Sequence, residues 1–474
     1  MKRILLPLVL TIAATALVGP PPSAAGQAAS EDQVDKIFAR WNGQTPGCAV
    51  GVGIKGRSAL EKAYGMADLE HGVANKADTI FEAGSVSKQF TAAAVLLLAR
   101  EGKLSLDDPA RKHVPELPDY GVALTIRHML QHSSGLRDWG EVAALSGWPR
   151  TSRVHTHAHV LDIVSRQRSL NFPAGTRYSY SNTGYNLATV IVSRVSGTSF
   201  ADFTRERIFA PLGMTRTSWR DDHTRLVKDR AMAYSDRGGE FRQNMPFENV
   251  HGNGGLLTTV GDLLLWNENA VTQKVGDAEF LRIQHEPGRF NDGTPHTYAM
   301  GLTIGEFRGV KEVAHSGSTA GYRAHLMRFP DQHVSVAVLC NVTSGAATQY
   351  AQAVAAAYLA GDITAPSSGA RGAGRGRGNA NPTQPARKLS TRELEGYAGV
   401  YTSDEAEATF TIALDGDALV LKRRPDTVMR LTARAADTFD APLGGIRFIR
   451  DAAGKVVEFT VATGRVFDMR FRRQ

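Results

Sequence analysis

Ser85 and Lys88 stand three residues apart at the head of a run, Ser85 to Glu101, that holds no Gly or Pro and stops at Gly102. Its strong helix formers predict a helix from Ser85 onward. Residues at this spacing share one side of a helix. The apolar stretch Ala92 to Leu98 leaves almost no polar face, so the helix is expected to be buried. A serine hydroxyl is a weak nucleophile until a base takes its proton. A lysine held in a desolvated pocket loses its charge more readily and can be that base. The helix N-terminus stabilises negative charge forming beside Ser85. The plainer alternative is a capping serine and a solvated lysine, and two fixed letters in four recur by chance about once or twice in a chain this long. A charge at the head of a helix that must be buried weighs against that alternative.

The elements that must position this pair follow from periodicity. Glu31 to Trp41 has helical spacing, and Cys48–Ile54 with Ser58–Tyr64 reads as a hairpin. A mainly helical region follows from Asp107 to about Gln273. Within it, the turn Phe172-Pro173-Ala174-Gly175 leads to Tyr180-Ser181-Asn182 and a helix to Ser196, stopped by Gly197. Strands are expected at Thr297–Ile304, Glu312–Ala314, Tyr322–Arg328 and Val334–Val342, then a helix over Ala346–Leu359. This order predicts an α/β fold: an antiparallel sheet built from both ends of one domain, flanked by helices, with the helical block inserted. The expected organisation is a leader at 1–25, this domain at 31–362, a Gly/Pro/Arg linker at 363–388 and a small C-terminal β-barrel or sandwich at 389–474. In the last, Asp415-Gly416 signals a hairpin, and Phe467, Met469 and Phe471 alternate with polar residues. The linker predicts a separable C-terminal domain and an active N-terminal fragment.

Lys2 and Arg3, the apolar run Ile4 to Val18 and Ser23-Ala24-Ala25 have the form of a secretory signal with cleavage after Ala25. A periplasmic or secreted protein without stable membrane insertion is therefore expected. The net charge of +8 over 474 residues gives no cause to expect nucleic acid as a partner. Lys2 and Arg3, with Arg371, Arg375, Arg377, Arg387, Lys388 and Arg392 in one acid-free segment, account for all of it. Two cysteines exclude a disulfide scaffold. If the first and last strands pair antiparallel, Cys48 and Cys340 come together, either as a bridge or as two buried thiols. The alternation His155-Thr156-His157-Ala158-His159 reads as a polar surface turn rather than a zinc site, and no metal or other cofactor is expected.

Ser85-Val86-Ser87-Lys88, Tyr180-Ser181-Asn182 and His315-Ser316-Gly317 together resemble the three signatures of the penicillin-recognising serine hydrolases, in the family's order. The likeness is to the class C β-lactamase branch, which includes D,D-peptidases, D-aminopeptidases and esterases. His128-Met129-Leu130-Gln131-His132-Ser133-Ser134-Gly135-Leu136, Pro211-Leu212-Gly213-Met214 and Gly254-Gly255-Leu256-Leu257-Thr258-Thr259 are similar to its connecting text. Tyr397-Ala398-Gly399-Val400-Tyr401 resembles the opening of a barrel appended to such enzymes.

The resemblance implies an acyl-enzyme hydrolase acting on a small-molecule or peptide ester, amide, β-lactam or D-amino-acid peptide. A non-catalytic sensor of peptidoglycan fragments is the alternative. Ser85 is the expected nucleophile. Tyr180, beside a lysine ammonium, is expected to have a lowered pKa, and either Lys88 or Tyr180 is the base. Asn182 orients substrate and Lys88. The N–H groups of Ser85 and Ser318, just past Gly317, form the oxyanion hole. His315 stands where relatives bear a fixed lysine cation, which implies a weaker hold on a substrate carboxylate. Oligomeric state is not legible.

Overall fold

The structure, a computed structural model, describes residues 24–364, 389–424 and 426–474. All but Ala24 and Ala25 of the expected leader, and all but Ile363 and Thr364 of the expected linker, lie outside the described residues. The elements that matter here are α1 (Ala24–Phe38), β1 (Cys48–Ile54), β2 (Arg57–Tyr64), α2 (Lys88–Arg100), α3 (Trp139–Leu145), α4 (Asn182–Ser196), α5 (Val260–Thr272), β3 (Thr303–Phe307), β4 (Val310–Thr319), β5 (Tyr322–Phe329), β6 (Val334–Cys340) and α6 (Ala347–Tyr358).

The six strands form one antiparallel sheet in the order β3-β4-β5-β6-β1-β2. The chain's first strand thus lies against its last in this domain, as the sequence predicts. The sheet's two faces separate by strand alternation. Cys48, Val50 and Val52 of β1 and Val336 and Val338 of β6 pack with Val34 and Phe38 of α1 and Ala351 and Val354 of α6. Ala49, Ala337 and Leu339 point the other way, into the core shared with α2 and α5. Gly51 lets α5 approach, since a Cβ there would lie 3.1 Å from Val260 Cβ.

Helix α2 is buried almost throughout, from Lys88 to Leu98. It packs on α4 and sets Phe90 against Trp266 of α5, with ring centroids 4.4 Å apart. Its start differs from the sequence expectation. Gly84–Ser87 forms a 3-10 turn, and the α-helix begins only at Lys88. Local bonds impose the tighter winding. The Ser87 hydroxyl donates to Gly84 O at 2.6 Å and accepts from Leu256 N–H at 3.1 Å. Residues three apart eclipse in a 3-10 turn, so this geometry sets Ser85 and Lys88 over one another.

The C-terminal region is a closed barrel of eight strands, from Gly399–Ser403 to Met469–Arg473. Its core stacks Phe410, Phe459 and Phe471. Closure removes the exposed edges that a sheet this small would otherwise present. Among the described residues no helix is long and apolar enough to cross a membrane.

Cys48 and Cys340 are directly opposed in the β1–β6 register and form a disulfide, with Cα atoms 4.0 Å apart. The bond closes a separation of 292 residues, so it constrains the unfolded chain strongly. Intact mass of the denatured, unreduced protein is expected to fall two hydrogens below the reduced value. Replacing both cysteines by alanine is expected to cost about 2–4 kcal/mol in denaturant unfolding. Two alkylatable thiols in the unreduced protein would contradict the bridge.

Candidate active site

Ser85 is half-buried, on a turn that two close approaches hold in place. Gly84 has φ +52°, and a Cβ on it would lie 2.6 Å from Ser318 N at the end of β4. A Cβ on Gly317 would lie 2.0 Å from Ala83 O. Both positions therefore require glycine, and together they bring the Ser318 backbone alongside the turn that carries Ser85. The strand before this turn is anchored from behind. Glu82 is fully buried and accepts from Arg220 Nε at 2.8 Å and Nη2 at 3.0 Å. Burial pushes the Glu82 carboxyl up, but Arg220, with Arg230 beside it, outweighs burial and holds it below the usual carboxylate range.

Lys88 has no exposed surface. Its Nζ lies 3.1 Å from Ser85 Oγ, 3.0 Å from Asn182 Oδ1 and 2.7 Å from the backbone oxygen of Asn253. Tyrosine rings flank it, Tyr180 at 4.8 Å and Tyr185 at 5.4 Å. Burial pushes the Lys88 pKa well below its ordinary value. The cations Arg465 and Arg150 push it the same way, against an opposing pull from Asp138. A neutral amine has two N–H bonds and one lone pair. Asn182 Oδ1 and Asn253 O take the N–H bonds, which leaves the lone pair for the Ser85 hydroxyl proton.

Tyr180 overturns one expectation. Its pKa is raised to about 12, chiefly by burial, and a side-chain hydrogen bond with Ser85 only partly offsets that. A lowered value presumes a charged lysine next to it, and the same desolvation that neutralises Lys88 keeps the phenol protonated.

His315 is buried and its pKa is lowered to about 3, chiefly by desolvation. Its Nδ1 lies 2.6 Å from Ser316 O, and its Nε2 lies 2.9 Å from the Tyr298 hydroxyl. Nδ1–H therefore donates to the carbonyl, and Nε2 accepts from the tyrosine. His315 is a neutral ring holding Tyr298, and it offers the cleft no charge.

Asn182 opens α4, and a second layer of contacts fixes its amide. Asp138 Oδ2 accepts from Asn182 N at 2.8 Å and from Nδ2 at 2.9 Å. Asp138 Oδ1 caps α3 through Gly140 N and Glu141 N. With Nδ2 committed to Asp138, Asn182 must present Oδ1 to Lys88. The buried His132 packs between Tyr180 and Tyr298 at 4.1 and 4.5 Å, and its Nδ1 accepts from Ser181 N–H. Asp138, Asn253 and Tyr298 carry no mark in the sequence as site residues, and His132 lies within the quoted stretch 128–136 without being singled out there. Asp138 follows the quoted stretch ending at Leu136 by two residues, and Asn253 precedes Gly254 by one. Only contiguity with those stretches could have drawn attention to them.

The barrel also contacts the surroundings of Lys88 and Tyr180. The loop after the strand Val456–Ala462 lays Arg465 over the Tyr180 ring, with the guanidinium carbon 4.9 Å from its centroid. Arg137, nearly fully buried, pairs with Glu405 of the barrel at 2.6 Å. Arg423 of the barrel donates to Ala144 O and Leu145 O at the C-terminal end of α3.

The histidine alternation is not a surface turn. His155 is buried against Trp139 and bonds Trp148 O. His157 meets the Thr189 hydroxyl and His251 O. The His159 ring accepts from Thr156 N–H at the start of a short helix. Helix capping and burial hold these three rings.

Residues 28–360 match the family model described as Beta-lactamase. The chain is 29% identical over 311 residues to a D-aminopeptidase of Brucella anthropi, covering 64% of this chain and 58% of the relative. A D-aminopeptidase of Gluconobacter oxydans is 30% identical over 331 residues, covering 69% and 61%. The matched region thus spans about three fifths of those relatives. Among solved structures, the octameric penicillin-binding protein homologue of Pyrococcus abyssi superposes with a TM-score of 0.62 at 24% identity, over 94% of this chain and 99% of that one. The D-amino acid amidase of Ochrobactrum anthropi SV3 gives 0.60 at 22%, over 71% and 99%. The structural likenesses speak to fold. The family match over residues 28–360, most of the chain, establishes that this protein belongs to the Beta-lactamase family.

Proposed function

We propose that the protein is an exported serine hydrolase that cleaves amides, esters or peptides of D-amino acids through an acyl-enzyme on Ser85. The observation that carries the reading is the buried Lys88 amine, with its two donors spent on Asn182 and Asn253 and Ser85 Oγ at 3.1 Å. The D-aminopeptidase relatives support the substrate class. Export rests on the leader, and the Cys48–Cys340 bridge supports it, because such bonds persist in oxidising compartments.

In this reading Lys88 takes the Ser85 proton as Oγ attacks the carbonyl carbon. The backbone N–H groups of Ser85 and Ser318 receive the developing oxyanion. Tyr180, still protonated, gives its proton to the leaving nitrogen or oxygen and is reprotonated from the Lys88 ammonium. The acyl-enzyme is then hydrolysed by water, whose proton Lys88 accepts, and Ser85 leaves with a proton returned to it. The first of these transfers, from Ser85 to Lys88, runs between groups 3.1 Å apart.

Three outcomes follow from this arrangement. Ser85→Ala is expected to lower kcat by roughly 10⁴-fold or more and to abolish labelling by a fluorophosphonate or a fluorescent penicillin. Near wild-type turnover on every substrate the parent cleaves would overturn the assignment.

The pH dependence has a definite sign. Lys88 works when neutral, so kcat/KM should fall as pH drops through its depressed pKa, at a midpoint well below the ordinary lysine value. Tyr180 works when protonated, so an alkaline loss belongs near pH 12 and not near the ordinary tyrosine value of 10. An acid limb at the ordinary lysine value, measured on a p-nitrophenyl ester by stopped assay, would contradict Lys88 as base.

Asp138→Ala frees Asn182 to rotate and leaves its Nδ2 without its acceptor. A loss of about 10–100-fold, concentrated in kcat, is expected from the lost charge-assisted bonds. A change confined to KM would assign Asp138 to substrate binding instead.

A further inference from the structure

Arg465 belongs to the barrel, yet its guanidinium lies over the ring of Tyr180, which also flanks Lys88. The loop that carries it is pinned to the catalytic domain through its backbone. Arg465 N donates to Glu141 Oε2 at 2.7 Å, and Arg465 O accepts from Asn171 Nδ2 at 3.0 Å and from Asp138 N at 3.3 Å. Phe467 N donates to Asn171 Oδ1 at 2.8 Å, and Thr463 bonds Glu141. The main chain is therefore fixed at the cleft before any side-chain contact is counted.

The side chain is held more loosely. About a third of it is exposed, and its two ion pairs, Nη1 to Asp138 Oδ2 at 3.6 Å and Nε to Glu141 Oε1 at 4.0 Å, are both longer than a direct hydrogen bond. Both carboxylates are already spent elsewhere. Asp138 accepts from Asn182 N, Asn182 Nδ2, Gly140 N and Glu141 N. Glu141 Oε2 accepts from Arg465 N and from Thr463. The other cation facing the site from the helical block, Arg150, is bound to Glu248. His132 and His315 are neutral rings, and Lys88 is the base. Arg465 thus brings beside Tyr180 a partly exposed cation whose main chain is fixed and whose guanidinium makes only two long ion pairs.

Building on the hydrolase reading above, we propose that Arg465 is a specificity-determining residue that binds a substrate carboxylate, so that the protein prefers acyl donors or peptides bearing a free carboxylate over uncharged or amine-bearing ones. A guanidinium matches a carboxylate through two parallel N–H···O bonds. It repels an ammonium at the same place. The anchoring cation that His315 does not provide is supplied from the second domain, which gives the barrel a direct part in substrate choice.

The test compares kcat/KM within matched pairs for the full-length chain and for Arg465→Gln and Arg465→Lys. One pair is p-nitrophenyl hydrogen glutarate against p-nitrophenyl butyrate, with the carboxylate on the acyl side. The other is N-acetyl-D-Ala-D-Ala against its C-terminal amide, with the carboxylate on the leaving side. The carboxylate member of at least one pair should be favoured by about tenfold or more, the preference weakening at high salt. Arg465→Gln should erase that preference, and Arg465→Lys should retain part of it. Because the uncharged member of each pair reports on folding and chemistry in the same variant, a general loss of activity does not imitate the expected result. Turnover with no preference in either pair, or a preference that survives Arg465→Gln, overturns the anchor and leaves the hydrolase reading intact. Failure to turn over all four substrates, with Ser85 unlabelled by a fluorophosphonate, overturns the hydrolase reading and the anchor with it.

Discussion

Burial of a lysine amine with no carboxylate bonded to it is the constraint on which the site depends. Lys88 is enclosed by α2, α4 and the Asn253 turn, and its three polar contacts are a hydroxyl, a side-chain amide oxygen and a backbone carbonyl. None of the three carries a charge that would hold the ammonium. Desolvation therefore decides, and it favours the form that can accept a proton. The disulfide-closed sheet, the glycines at 84 and 317 and the buried Glu82–Arg220 pair all keep the enclosing walls in register.

Neutrality has to be defended against the nearby carboxylate of Asp138. Asp138 would stabilise a lysine charge if it turned toward Nζ. Four N–H donors and the Arg465 guanidinium face it instead. The amide of Asn182 lies between the two, passing orientation from Asp138 to Lys88 without passing charge. Arg465 thereby contributes twice from one position. It balances Asp138, and it adds its own field to the forces lowering the Lys88 pKa. A catalytic domain without the barrel would lack that cation.

The parts of this arrangement that were legible in the sequence are local or set by strand alternation. Ser85 and Lys88 lie within one turn, so their proximity needed no tertiary knowledge. The β1–β6 pairing followed from strands at the two ends of one domain, and it placed Cys48 opposite Cys340; whether the thiols were joined depended on register, which the sequence left open. The helix from Asn182 to Ser196 was marked by Gly197, which takes the left-handed conformation that ends it. Asp138 was not legible because its role depends on where α3 begins relative to α4, a matter of packing. Arg465 was less so, being one arginine among many in a barrel that composition and the linker set apart. The sign of the Tyr180 shift was misjudged for a related reason. The spacing of motifs shows which groups meet, but burial decides which of them is charged.

The charge state of Lys88 is therefore the quantity to measure. Lysine labelled with 13C at Cε, incorporated into the full-length protein and assigned by comparison with Lys88→Met, reports ionisation through its chemical shift as pH is varied. A Lys88 resonance that moves from the ammonium to the neutral-amine position at a pH well below the ordinary lysine value of 10.5 is the expected result. A resonance that stays in the ammonium position up to the ordinary value would contradict the account.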